Sequence, residues 1–378
     1  MRSRRKKIII ILSVVLILAA IAYPAWHRLK TPATIEPVYT VRVLESARSP
    51  YFLPQYLALN LGFFEEQSLD VNITTTSQEA VRNALADGRT DIALCGLQKI
   101  IYNPDAKDLQ AKVFATMGRR DGSLLLSRKN TENFQWQELK NKTIIGGAHD
   151  DSSGIALEEV LRRHGLPPYR GVTIYYNIPD SLRLGAFRAG TGHYIQLLEP
   201  DATLAETKGY GQVIASVGEA AGDMVVTAYA ALPGYIETKP EVIQRFTNAI
   251  YKAQLWLSLH SAEDAAIAAA PSFPNLDNKV LLKCIERYRA MQVWAASPEV
   301  TKESYEAFHA AAKKAGEISA PALYETTVVT DFARQAIETV VYASEVEKKK
   351  KKLPLKLMSA RYPLIMEVGS SFKNPDGG

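Results

Sequence analysis

Between Val41 and about residue 239 the chain repeatedly sets a short apolar run ahead of a helical stretch, and this alternation limits the fold more than any other feature. Val41–Leu44 precedes a helix around Gln55–Phe64. Leu69–Thr74 alternates like a strand, and Gln78–Ala86 then carries Ala80, Val81, Ala84 and Leu85 on one helical face, closed by Gly88. Asp91–Leu94, Lys142–Ile145, Val172–Tyr176, Tyr194–Leu198 and Gln212–Val217 continue the strands, with helical patterns near Leu157–Leu161 and Ser181–Phe187. Repeated strand–helix units predict parallel sheets covered by helices on both faces. From Lys239 onward the pattern is almost wholly helical. Pro240 suits a first turn, Val242 to Leu257 forms an apolar stripe, and further helices fit about 261–270, 277–290, 301–316 and 330–343.

The amino terminus reads as an export signal. Arg2, Arg4, Arg5, Lys6 and Lys7 abut Ile8–Tyr23, sixteen residues that are nearly all apolar. A positive flank followed by an apolar run is the layout of a secretory segment, with the basic side left in the cytoplasm. At 1.5 Å per residue the run reaches about 24 Å, short of a hydrocarbon core of roughly 30 Å. Residues 1–23 are therefore a signal peptide cut near Ala20-Ile21-Ala22 or a membrane anchor reaching to about residue 26, and 24–39, with Pro24, Pro32 and Pro37, is a linker. Either way the body lies outside the cytoplasm, in the periplasm or on the outer face of the membrane.

Charge placement argues against a nucleic-acid partner. Of 45 basic and 40 acidic residues, five bases fall in the first seven positions, and eight bases with three acids fall from Glu347 to the end, which leaves the middle at 32 against 37. The folded part is thus acidic, without the basic footprint that nucleic acid requires. Cys95 and Cys284 sit in apolar stretches and read as buried thiols, a single disulfide being the alternative in an oxidising compartment. No pair among the six histidines has a metal-ligand spacing, and no cofactor is implied.

Several segments, in order, carry a family likeness: Pro54-Gln55-Tyr56-Leu57-Ala58 running into Gly62-Phe63-Phe64-Glu65-Glu66 and Leu69-Asp70-Val71; Ala86-Asp87-Gly88 with Asp91-Ile92-Ala93; Leu139-Lys140-Asn141-Lys142 before Thr143–Ile145; Ala189-Gly190-Thr191-Gly192 ahead of Glu199-Pro200; and Phe246–Leu257. Over about residues 41–340 the chain resembles the extracytoplasmic solute-binding proteins of ABC importers in the nitrate, sulfonate, taurine and thiamine-precursor group. The resemblance implies an α/β, two-lobed type II periplasmic-binding-protein fold behind the N-terminal hydrophobic segment. It implies capture of a small organic molecule, sulfonate-, amine- or pyrimidine-like, and delivery to the transmembrane permease subunit and its ATPase. Lobe one would span 40–129 and 226–346, lobe two 130–225, with crossovers near Leu124–Arg128 and Val225–Ala230. Residues 347–378, opening on Lys348–Lys352, read as a basic, disordered tail.

In open α/β sheets ligands sit beyond the carboxyl ends of the strands. Four loops then face the cleft: Ser46–Phe52, Gly96-Leu97-Gln98, Gly147–Gly154 and Glu199-Pro200. The third precedes a helix, whose free N–H groups suit an anion, yet it carries Asp150 and Asp151 beside Ser152 and Ser153. One of these four caps the helix; carboxylates facing the cleft would instead select an amine, a zwitterion or a hydrogen-bonding heterocycle. The candidate ligand-binding residues are Ser49, Tyr51, Phe52, Gly96, Gln98, Asp150, Asp151, Ser152, Ser153, Glu199 and Tyr229, the aromatics offering stacking surfaces.

Enzyme readings compete poorly. No GxSxG elbow, phosphate loop or GxGxxG after a strand is present, and Cys95 has no accompanying cluster beyond a possible partner in His149. A thiamine-pyrimidine-synthase-like enzyme and a membrane-tethered ligand sensor are the two alternatives to transport.

Overall fold

The chain crosses twice between two five-stranded sheets, and the direction of each crossing fixes the sheet topology. The computed structural model describes residues 37–101, 111–129, 131–148, 151–318 and 322–342. The expected signal or anchor segment and the basic tail lie outside the described residues. Among the described residues no helix is long and apolar enough to cross a membrane. The chain separates between residues 40 and 41 into two units, and both lobes lie in the second.

The first sheet is assembled from β1 (Tyr39–Glu45), β2 (Leu69–Thr75), β3 (Ile92–Gly96) and β4 (Lys112–Ala115), interleaved with α1 (Leu53–Asn60), α2 (Gln78–Ala86) and α3 (Leu97–Ile101). The chain then passes to a second sheet of β5 (Leu124–Ser127), β6 (Thr143–Ile145), β7 (Thr173–Tyr175), β8 (Tyr194–Leu197) and β9 (Gln212–Ser216). Its helices are α4 (Ser152–Arg163), α5 (Asp180–Arg188), α6 (Asp201–Thr207) and α7 (Val217–Ala221). It returns through β10 (Thr227–Ala231) and finishes in helices, among them α8 (Pro240–Leu259), α9 (Asn278–Ala290) and α10 (Lys302–Ala315). The strand orders are β2-β1-β3-β10-β4 and β7-β6-β8-β5-β9.

Both sheets are mixed, where the strand–helix alternation predicts parallel ones. β1 pairs parallel with β3, and β6 pairs parallel with β7 and β8. The exceptions are β10, antiparallel to β3 and β4, and β5, antiparallel to β8 and β9. These are the two strands that enter a sheet from the other lobe. A chain arriving at the edge where its neighbours end must run against them.

The crossings occupy residues 116–123 and 217–226, between β4 and β5 and between β9 and β10. The segments Leu124–Arg128 and Val225–Ala230, predicted as crossovers, fall largely on β5 and β10 instead. Leu124, Leu125 and Leu126 are at most 1% exposed because β5 is an interior strand, so the second lobe starts before residue 130.

Each lobe has its own core. Phe114, Tyr229 and Phe246 cluster beneath the first sheet, with Tyr229 and Phe246 centroids 5.1 Å apart, while Phe187, Leu157 and Leu161 fill the second. Cys95 in β3 and Cys284 in α9 are free and fully buried, as small apolar residues are.

Candidate ligand-binding site

The loops that leave β1, β3, β6 and β8 meet the crossing segments around a cleft with two adjoining compartments, of about 250 and 200 Å³. Both compartments are lined by Ser49, Asp151, Ser153, Asp180, Arg183 and Leu198. Tyr51, Phe52, Gln78, Gly96 and Asp121 complete the first, and Arg48, Gln196, Glu199 and Asp201 the second.

The β1 loop is shaped by Ser49. Its extended backbone caps a short 3-10 turn over Pro50–Phe52, and its Oγ accepts from the Tyr51 N–H at 3.2 Å. The same hydroxyl donates to the Glu199 carbonyl of the second lobe at 3.3 Å. Tyr51 lies over the first crossing: its hydroxyl donates to the Arg120 carbonyl at 2.8 Å, and a Cβ on Gly118 would fall 2.1 Å from the Tyr51 hydroxyl oxygen. Gly96 ends β3 where a Cβ would sit 2.6 Å from Ser152 Oγ and 2.8 Å from Gln78 Oε1, so a larger residue would push these side chains aside.

At the start of α4 the four polar residues divide their work. Asp151 is the N-cap by backbone geometry, but its side chain makes no capping bond. Its Oδ1 instead accepts from Gln78 Nε2 at 3.3 Å. Ser152 Oγ donates to Gln98 Oε1 at 2.5 Å and lies 2.7 Å from the Val226 carbonyl. Ser153 Oγ donates to Asp121 Oδ1 at 2.6 Å. Asp150 and His149 lie outside the described residues.

Burial pushes the Asp151 carboxyl above its ordinary value; the Gln78 bond and Arg183 oppose this, and the nearby Asp121 adds to it. Asp121, fully buried, is raised by burial despite bonds from Ser123 and Ser153. Asp201 is raised by burial as well. Against these carboxylates stand Arg183, which pairs with Asp180 at 2.6 Å and donates to the Gly146 carbonyl at 3.1 Å, and Arg48, which pairs with Glu45 at 2.8 Å. Gln78 Oε1 and Gln196 Oε1 are buried acceptors with no hydrogen-bond partner, and Arg183 Nε is a buried donor with none. The cleft thus holds more acceptor and negative charge than donor.

Ser49, Tyr51, Phe52, Gly96, Asp151, Ser152, Ser153 and Glu199 all border the cleft. Three expected roles are corrected. Tyr229 is absent from the lining: on β10 its ring packs between Phe114 and Phe246, and its hydroxyl donates to Gln55 Oε1 at 3.1 Å. Gln98 belongs to α3 rather than a loop and is 4% exposed, so it braces Ser152 from behind. Glu199 borders the cleft by its backbone, while its carboxylate turns to Arg287 at 2.6 Å and to the Thr203 N–H at 2.9 Å. The sequence reading missed Asp121, Gln78, Asp180 and Arg183. An Asp-Gly pair after a strand was a usable turn signal for Asp121; nothing local marks the others.

Neither thiol offers a nucleophile. Burial pushes Cys95 up to about 12, and Cys284 is raised by burial beside Glu199. Among the described residues no group of three or more His, Cys, Asp or Glu side chains is placed to hold a metal.

Two mixed sheets, two crossings and a polar cleft at the strand ends make up the two-lobed periplasmic-binding-protein fold. The crystal structure of a putative sulfonate ABC transporter's periplasmic sulfonate-binding protein SsuA from Methylobacillus flagellatus KT superposes with a TM-score of 0.60 at 19% identity, covering 80% of this chain and 95% of that one. The NMT1/THI5-like family model matches residues 49–263. The chain is 34% identical over 304 residues to the putative binding protein YtlA of Bacillus subtilis, spanning 79% of this chain and 90% of that protein. It therefore belongs to the NMT1/THI5-like family. A more distant similarity, 27% over 223 residues and 54% of this chain, links it to the 4-amino-5-hydroxymethyl-2-methylpyrimidine phosphate synthase THI13 of Saccharomyces cerevisiae, of which it covers 63%.

Proposed function

We propose that this chain is the extracytoplasmic solute-binding component of an ABC importer, holding a donor-rich small molecule, an amine or aminopyrimidine, between its lobes. The observation that carries the ligand class is the pairing of desolvated Asp121 and Asp151 with unpartnered acceptors at Gln78 and Gln196, all on one cleft. A buried carboxylate is costly when ionised, and a cationic or N–H-rich solute offsets that cost. A bare sulfonate or nitrate would meet repulsion from the same groups. Family membership and the likeness to an importer's binding protein support capture and delivery. The basic, apolar amino terminus supports an extracytoplasmic location. Residues 40–115 and 227–346 would form most of one lobe and 124–216 most of the other, joined by the two crossings, with the permease docking on the closed form.

A thermal-shift titration of the full chain tests this with 4-aminopyrimidine, putrescine, taurine, methanesulfonate and nitrate. A ligand at one hundred times its dissociation constant adds about 2.7 kcal/mol. Stabilisation by an amine or aminopyrimidine that is lost in Asp151→Asn is the expected result. Stabilisation by the sulfonates or nitrate alone overturns the ligand class.

A further inference from the structure

Two apolar side chains stand exposed on the lining of the cleft. Ala47 follows β1 in the first lobe, and Leu198 follows β8 in the second. Leu198 is 37% exposed between two buried neighbours, Leu197 and Glu199. The other exposed lining residues, Arg48, Ser77, Asp180 and Asp201, are all polar. Tyr51, Phe52, Leu197 and Val226 also line the cleft but are at most 6% exposed, so protein already covers their apolar area.

Ala47 and Leu198 each border both compartments. The bond from the Ser49 hydroxyl to the Glu199 carbonyl ties their two loops together. Ala47 stands two places before Ser49, and Leu198 one place before Glu199. The junction of the compartments is thus an apolar waist with one side chain from each lobe. Polar groups lie to either side of it, Gln78 and Thr227 in the first compartment and Gln196 and Asp201 in the second.

Apolar surface left wet at such a waist gains only when apolar surface of a ligand covers it. We propose that the ligand passes through this waist, an alkyl segment lying between Ala47 and Leu198. Its donor head sits at Asp151, a half-buried carboxylate that also borders both compartments. The inference rests on the amine head proposed above and adds a requirement of length, since a compact ammonium ion leaves Leu198 wet. Leu198 is then the residue that sets specificity for chain length.

The test is a thermal-shift titration of the full chain with two series, methylamine to butylamine and methanesulfonate to butanesulfonate. Affinity in the amine series should rise about three- to fourfold per methylene, the worth of one buried CH2. Leu198→Ser, a change at an exposed position, should flatten this gradient to less than about twofold per methylene. Leu182→Ser, also at an exposed position but on α5 outside the lining, should leave the gradient unchanged. Amines that bind without a gradient, or a gradient that survives Leu198→Ser, would overturn the waist and leave the ligand class standing. A gradient confined to the sulfonates and lost in Leu198→Ser would support the waist and overturn the amine class. Saturable binding in neither series overturns the waist, and stabilisation by 4-aminopyrimidine then decides the ligand class separately.

Discussion

Ser152, the first residue of α4 in the second lobe, places its hydroxyl 2.5 Å from Gln98 Oε1 in the first lobe, and the same oxygen lies 2.7 Å from the Val226 carbonyl on the returning crossing. One hydroxyl therefore ties both lobes and the hinge at the base of the cleft. Ser152→Ala should cost about 1–2 kcal/mol, the net worth of a buried hydrogen bond and its desolvation. Urea denaturation should show a lower midpoint with an unchanged m-value. The double variant with Gln98→Ala should lose less than the sum of the singles, since both remove one interaction.

The two crossings touch at Gly218 and Asp121. A Cβ on Gly218 would lie 1.9 Å from the Asp121 carbonyl oxygen, a backbone atom that cannot swing aside. Gly218→Ala should therefore be destabilised by about 3 kcal/mol or more, at the upper end of overpacking costs. Gly234, with nothing within 4 Å of its would-be Cβ and a place in the helix Pro233–Thr238, makes the contrast. Gly234→Ala should be neutral or gain up to about 1 kcal/mol from helix propensity. Thermal unfolding of the pair separates steric exclusion from a general intolerance of alanine.

Strands, helices and the loops at their ends are readable because their patterns are local: the alternation in Leu69–Thr75 and the stripe of α8 need no knowledge of a partner. The hidden features depend on distant partners. Glu199 meets a cation 88 positions away, and nothing in Glu-Pro says where Arg287 will lie. Tyr229 reads as a cleft aromatic only if its segment is a crossover; as part of β10, pairing with β3 and β4, it carries its ring into the core. The antiparallel direction of β5 and β10 follows from the crossings, which leave no periodic mark.

Asp151 ties stability to pH. Its carboxyl sits above the ordinary 3.8 in the folded chain, chiefly through burial. From that ordinary value up to the raised one, the folded state keeps a proton the unfolded state has lost. Stability falls as pH rises through this window, and the loss is present at neutral pH. Asp151→Asn removes the cost while retaining an acceptor for Gln78. The variant should have a higher urea midpoint at neutral pH and a flatter pH dependence above about pH 4. Its affinity for an amine or aminopyrimidine should fall by about tenfold or more, the worth of a charged hydrogen bond. Higher stability with weaker binding marks a residue kept for its ligand. A loss of both would assign Asp151 to structure alone.

Arg287 links α9 to the second lobe by pairing with Glu199 at 2.6 Å and also with Glu206. The Glu199 side chain is fully buried, and Thr203 and Cys284 surround it without neutralising its charge. Arg287→Met thus strands a carboxylate in the interior and should cost about 3–5 kcal/mol. Glu199→Gln in the same background removes that charge and should restore most of the loss, because an amide still accepts from Thr203. If the two single variants added instead of compensating, the pair would carry no mutual energy, and packing of the long Arg287 stem against α6 would explain the loss. Urea denaturation of the four-member cycle decides between these outcomes.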